Sequence, residues 1–224
     1  MTGTLVNASA VVAGSILGLL AGRHISGRIR GTLMHALGLA VITIGLKMAL
    51  SVDSLIPMVA CLLLGGLVGE MLRIEDGVAW VGVHLKERFR SESATLVQGF
   101  VSASVLYLAG AMTIIGCIQD GTTGDASTLY LKSLLDGVAS VALASTLGVG
   151  VALAALPVLV VQGGLTLAAS YLAFLQDPQV LASITSTGGM IILGIGINLL
   201  EIVRIRVGNL IPALGFAAVY PFIV

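Results

Sequence analysis

The stretch Gly38-Leu-Ala-Val-Ile-Thr-Ile-Gly45-Leu-Lys-Met-Ala-Leu50 contains one charge in an otherwise apolar run, with two glycines set in it. It returns late in the chain as Gly189-Met-Ile-Ile-Leu-Gly-Ile-Gly196-Ile-Asn-Leu-Leu-Glu201, with the glycine pair at the same spacing. Shortly after each copy the chain reads Ser54-Leu-Ile-Pro57 and Asn209-Leu-Ile-Pro212. Internal similarity of this kind fixes architecture before any single residue does. Such runs have the length and polarity of membrane-crossing helices, which need about 20 mostly apolar residues.

Composition carries that reading to the whole chain. Of its 224 residues 57% are hydrophobic and only 10% charged. Mean hydropathy is +1.09. A soluble globule has about 25% charged residues, because its surface faces water. Disordered chains are poor in apolar residues, so disorder is excluded too. The 29 glycines follow no G-X-Y period, which excludes collagen. A formal net charge of zero argues against a nucleic-acid partner. The expected fold class is therefore all-α: a single polytopic transmembrane bundle over 1–224.

Eight spans are expected, over 4–22, 33–50, 54–72, 95–118, 129–148, 151–174, 181–200 and 207–224. The fifth is the weakest, because Lys132 and Asp136 interrupt it, and a re-entrant element is the alternative. No cationic region precedes the first span, so a cleaved signal peptide is not expected. With eight crossings, nine of the eleven Lys and Arg fall on one side, around Arg23–Arg30, Arg73–Arg90 and Arg204–Arg206. The positive-inside rule makes that side cytoplasmic and places both termini outside. Between the third and fourth spans, Ile74, Val78, Val81, Leu85 and Phe89 recur at helical spacing, opposite Glu75, Asp76, Lys86, Glu87 and Arg88. An amphipathic interfacial helix is expected over 74–90.

In this topology the second and seventh spans run in opposite directions. The repeats are then inverted: one over 1–72, the remainder of the other over 181–224, with central spans over 95–174. Thr4-Leu-Val-Asn7 resembles both Thr95-Leu-Val-Gln98 and Val160-Val-Gln162, so the first span has two candidate equivalents, 95–118 and 151–174. Inverted repeats are typical of secondary transporters, with the substrate near the repeat interface.

Ionisable groups inside spans are costly, and each is a functional candidate. Lys132 and Asp136 stand four apart, on one helix face, and can pair. With the span-start amides Asn7, Gln98 and Gln162 they form the expected solute- or ion-binding set. Lys47 and its repeat partner Asn198, with Asp120 and Asp125 of a Gly-rich loop expected to face outside, are candidates for the pathway. Small-residue stripes, Ala10-Gly14-Gly18-Gly22 and Gly65-Gly69, favour close helix contact and a homodimer. Cys61 and Cys117 lie in apolar runs and read as core. No H-E-x-x-H, Walker-type loop, G-x-S-x-G or metal-spaced histidine set occurs, so neither an enzyme nor a metal or cofactor is expected.

Several runs together resemble the YdfK/YqgA-type bacterial membrane proteins, a domain of unknown function. They are Gly3-Thr-Leu-Val-Asn7, Gly38–Leu50, Gly69-Glu-Met-Leu-Arg-Ile-Glu75, Gly110-Ala-Met112 with Asp120-Gly, Lys132-Ser-Leu-Leu-Asp136-Gly and Val161-Gln-Gly-Gly164. The resemblance spans essentially the whole chain. It implies a bacterial, multi-pass inner-membrane protein and supplies no activity. Read with the repeats, it leaves a secondary transporter of a small solute or ion as the expected function. A channel of the same symmetry and a non-transporting scaffold or regulator are the alternatives.

Overall fold

A computed structural model describes residues 1–22, 26–52, 54–77, 80, 95–108 and 111–223, with the side chains of residues 30 and 111 left aside. Its regular structure is helical throughout the described residues: α1 Thr2–Gly22, α2 Gly27–Ala49, α3 Ile56–Leu72, α4 Leu96–Leu108, α5 Ala111–Thr122, α6 Ser127–Leu147, α7 Gly150–Leu153, α8 Ala155–Leu167, α9 Pro178–Leu199 and α10 Pro212–Val219. Short 3₁₀ turns occupy Ala173–Gln176, Val207–Leu210 and Tyr220–Phe222. The interfacial helix expected over 74–90 lies outside the described residues, apart from Ile74–Gly77 and Trp80.

Four helical stretches among the described residues are long and apolar enough to cross a bilayer: Thr2–Gly22, Gly27–Ala49, Gly150–Leu167 and Pro178–Leu199. A fifth is reached if α4 and α5 form one broken span. Two expectations are corrected here. The span expected over 95–118 is not one straight helix, because α4 and α5 meet at 62°. The Thr113 hydroxyl donates to the Tyr107 carbonyl at 3.0 Å, where a straight helix would offer a backbone amide. The segment 207–224 is likewise not one long helix. It is a 3₁₀ turn, the eight residues of α10 and a second 3₁₀ turn. The fifth segment is a continuous helix of 21 residues, α6. Its polar residues, and no break in the chain, are what lower its hydropathy.

Helix ends follow local chemistry. Asp177 caps α9 by accepting the Gln179 and Val180 amides at 2.8 and 3.3 Å, and Pro178 opens the helix where no amide bond is required. α3 closes on Arg73 in the left-handed region, at φ 52°.

The chain divides into two compact units. One holds Met1–Leu33 and the helices α4 to α8; the other holds the rest of α2 with α3, α9 and α10.

In the first unit α1 packs along α6. An added Cβ at Gly14, Gly18 or Gly22 would strike the carbonyl oxygens of Gly137, Val141 and Ser145 in turn. The register advances equally on both helices, so they run parallel. The Thr95 hydroxyl donates to the Leu147 carbonyl at 2.7 Å, so α4 begins where α6 ends. Asp120 near the end of α5 accepts the Gly3 amide at 3.1 Å, so α5 ends where α1 begins. Thr166 at the end of α8 meets Thr4 at 3.4 Å between hydroxyls. The α4–α5 and α7–α8 pairs therefore run opposite to α1 and α6.

In the second unit α2 crosses α9 through the repeated glycines. A Cβ on Gly38 would lie 3.2 Å from the Gly196 oxygen, and one on Gly196 would lie 2.9 Å from the Gly38 oxygen. Gly45 and Gly189 do the same to each other, at 2.7 Å each way. The contact is reciprocal and antiparallel. At the end of α3, Glu70 binds Arg206 and Asn209, both at 2.6 Å. Glu75 accepts the Gly208 amide at 2.8 Å, and its own amide donates to Asn209 Oδ1 at 2.7 Å.

Candidate functional site

The helix directions of the first unit set the depth of its polar residues. At the end where α1 starts and α5 and α8 finish, the Met1 ammonium and the Gly3 amide both reach Asp120 Oδ2, at 2.9 and 3.1 Å. This corrects the placing of Asp120 in an outward loop. It is a buried residue on α5. Asp125 does lie in the exposed turn after α5, where its carboxylate accepts the Ser127 amide at 2.9 Å. That bond holds its carboxyl below the usual aspartate value.

One turn further in lies the charged centre of the unit. Lys132 Nζ donates to Asp136 Oδ2 at 2.7 Å, the pair expected from their spacing. Asn7 Nδ2 donates to the same oxygen at 3.0 Å from α1. Asn7 is fully buried; Lys132 and Asp136 keep only 6% and 7% of their surface. An ion pair so enclosed is stable only with good geometry and further hydrogen bonds, and Asn7 provides one of them. Deeper still, the Tyr107 hydroxyl and Ser140 Oγ lie 2.7 Å apart.

Gln162 belongs to the same level by helix arithmetic. It stands four residues, about 6 Å, below Thr166 on α8, and Asn7 stands three residues, about 4.5 Å, below Thr4 on α1. Since Thr4 meets Thr166, the two amides are at nearly equal depth. Gln162 is fully buried, and neither its Nε2 nor its Oε1 has a hydrogen-bond partner among the described residues. Asn7 Oδ1 is likewise unpartnered.

The remaining candidates are elsewhere. Gln98 is half-buried one turn into α4, at the end of the unit away from Asp136. Lys47 is an exposed residue of α2, in the other unit. Asn198 of that unit is committed to its own turn, donating to the Ile205 carbonyl at 2.8 Å and accepting the Ile205 amide at 2.7 Å. The Thr4–Thr166 and Tyr107–Ser140 contacts were not expected. Hydroxyl residues recurring within apolar runs were their only signal in the sequence. Among the described residues no group of three or more His, Cys, Asp or Glu side chains is arranged to hold a metal.

A family described as "Protein of unknown function (DUF554)" matches residues 2–222. The chain belongs to that family. It is 33% identical over 217 residues to the "Uncharacterized protein YqgA" of Escherichia coli (strain K12), covering 95% of this chain and 92% of that one. It is 31% identical over 228 residues to the "Uncharacterized membrane protein YdfK" of Bacillus subtilis (strain 168), covering 100% and 97%. No solved structure matches. The second relative is named a membrane protein, and among the described residues of this chain four helical stretches are long and apolar enough to cross a bilayer.

Proposed function

We propose that this DUF554 protein is a secondary transporter of a small solute, not an enzyme, and that Lys132, Asp136, Asn7 and Gln162 form the core of its site. The observation that carries this reading is the Lys132–Asp136–Asn7 cluster, buried where α6 meets α1, a helix long and apolar enough to cross a bilayer. Charges in such a place are expensive to keep, and pathways are their commonest use.

The reciprocal glycine crossing supports an inverted-repeat frame. Gly38 and Gly189 are sequence equivalents, as are Gly45 and Gly196, and each glycine meets the equivalent of its own partner. A self-complementary contact of this kind accompanies a two-fold relation between the parts that make it. The antiparallel course of α2 and α9 fits an axis lying in the membrane plane. Eight crossings, with α3, α6 and the 207–222 segment counted, keep nine of the eleven cations on the cytoplasmic side and both termini outside. The location that follows is the inner membrane; the small-residue stripes are taken up by contacts within the chain and do not argue for a homodimer.

Reconstitution into proteoliposomes tests the reading. A transporter gives saturable, gradient-coupled uptake that falls in Asp136→Asn. Passive flux without saturation returns the channel reading. Folded protein with no flux for any solute returns the scaffold reading and defeats this one.

A further inference from the structure

The transport reading leaves the solute open, and the unmet hydrogen bonds of the site narrow it. This step rests on that reading for its setting and on the geometry of the first unit for its content. The charges of the site are already matched: Lys132 and Asp136 neutralise each other at 2.7 Å. At this depth the atoms with no partner among the described residues are neutral: Asn7 Oδ1, Gln162 Oε1 and Gln162 Nε2. They amount to two acceptors and one amide donor group at one depth. An ion entering here would have to break the Lys132–Asp136 pair or remain unbalanced in a low-dielectric interior, and either is costly. An uncharged molecule with both donors and acceptors would satisfy the free atoms and leave the pair intact.

We propose that the site takes a small uncharged hydrogen-bonding solute of amide or polyol type, with Gln162 and Asn7 as its contacts. Lys132 and Asp136 are then positioning residues. Asp136 holds the Asn7 amide nitrogen and leaves Asn7 Oδ1 without a partner among the described residues. All three free atoms are shut off from solvent, so the helices around Gln162 must part to admit the solute. Leaving buried amide atoms unpaired destabilises the empty protein, and the solute relieves that penalty on binding.

The test uses the whole protein in lipid nanodiscs and follows thermal unfolding with two sets of probes. The neutral set is formamide, acetamide and glycerol. The ionic set is sodium, potassium and ammonium chlorides and sodium acetate, at matched ionic strength. At least one neutral probe is expected to raise Tm saturably. In Gln162→Leu its midpoint should rise at least about tenfold, the loss expected for removing a buried polar contact. The same variant without probe should unfold at or above the wild-type Tm, because its unpaired amide is gone. A purely structural Gln162 would give the opposite sign. The proposal is overturned if an ionic probe gives the saturable, Gln162-dependent shift, or if no neutral probe does. Flux in proteoliposomes separates the two readings. Binding of a neutral probe without flux keeps this site and defeats transport. Ion flux that Gln162→Leu leaves unchanged keeps transport and defeats this site.

Discussion

Asn7 and Asp136 are joined by a 3.0 Å hydrogen bond although 129 residues separate them in the chain. That bond ties the ion pair of α6 to α1, which packs along α6 through its glycines. Breaking one partner of such a pair strands the other. Asp136→Leu or Lys132→Met alone is expected to cost about 3–5 kcal/mol of stability, and the double variant distinctly less than the sum. Denaturant titration of the three variants checks this. Strictly additive losses would show that the pair is not coupled.

Gly18 sits where a side chain cannot. Gly18→Val drives its methyl groups into the Val141 carbonyl, so α1 must move off α6. Folded yield and Tm should both fall sharply. Gly31 of α2 has nothing within 4 Å of an added Cβ, so Gly31→Ala should be neutral or stabilising by up to about 1 kcal/mol. Similar losses at both glycines would argue against the α1–α6 contact.

Asp177 supplies the cap of α9. Asp177→Ala should cost about 0.5–2 kcal/mol, while Asp177→Asn, which keeps the accepting oxygen, should recover most of it. Melting curves of the two variants against wild type decide the matter.

The pH dependence at Asp125 has a definite sign. Its carboxyl is held low by the Ser127 amide, so the folded state favours the ionised form. The stabilisation is present above the unfolded value of about 3.9 and is lost as pH falls through the lower folded value. The Tm difference between wild type and Asp125→Ala should therefore be visible at neutral pH and close in acid. A difference that grows in acid would reverse the assignment.

Arg28 tests the orientation. It is exposed at the start of α2, on the side that the proposed topology places in the cytoplasm. Arg28→Cys should react with an impermeant maleimide in inverted vesicles and not in intact cells. Labelling of intact cells would refute the topology.

Much of the helical frame is legible from apolar runs bounded by turns, because an apolar stretch of this length is buried most simply as a helix. The Lys132–Asp136 pair is legible as well, since a four-residue spacing is a statement about one helix face. The break between α4 and α5 is not. The Thr113 hydroxyl donates to the Tyr107 carbonyl across it, and a threonine in an apolar run gives no sign of that. Asp120 was hidden for a related reason. Asp120-Gly121 reads as a turn, yet Gly121 is glycine because the Thr166 carbonyl packs against it. Gln98 misled because a shared sequence context does not say which end of the bundle a helix starts from. The Gln98 helix rises where the Asn7 helix descends.

The parallel contact between α1 and α6 also bears on how the protein is made. α1 leaves the ribosome before α6, and its hydrogen-bonding partner Asp136 follows Asn7 by 129 residues. At about 5–20 residues per second of synthesis, that delay is about 6–25 s. For that interval Asn7 and the bare glycine edge of α1 face lipid or the insertion machinery, with their native partner still unwritten. α1 must therefore be chaperoned or tolerated in the bilayer before α6 exists, and this contact waits on translation.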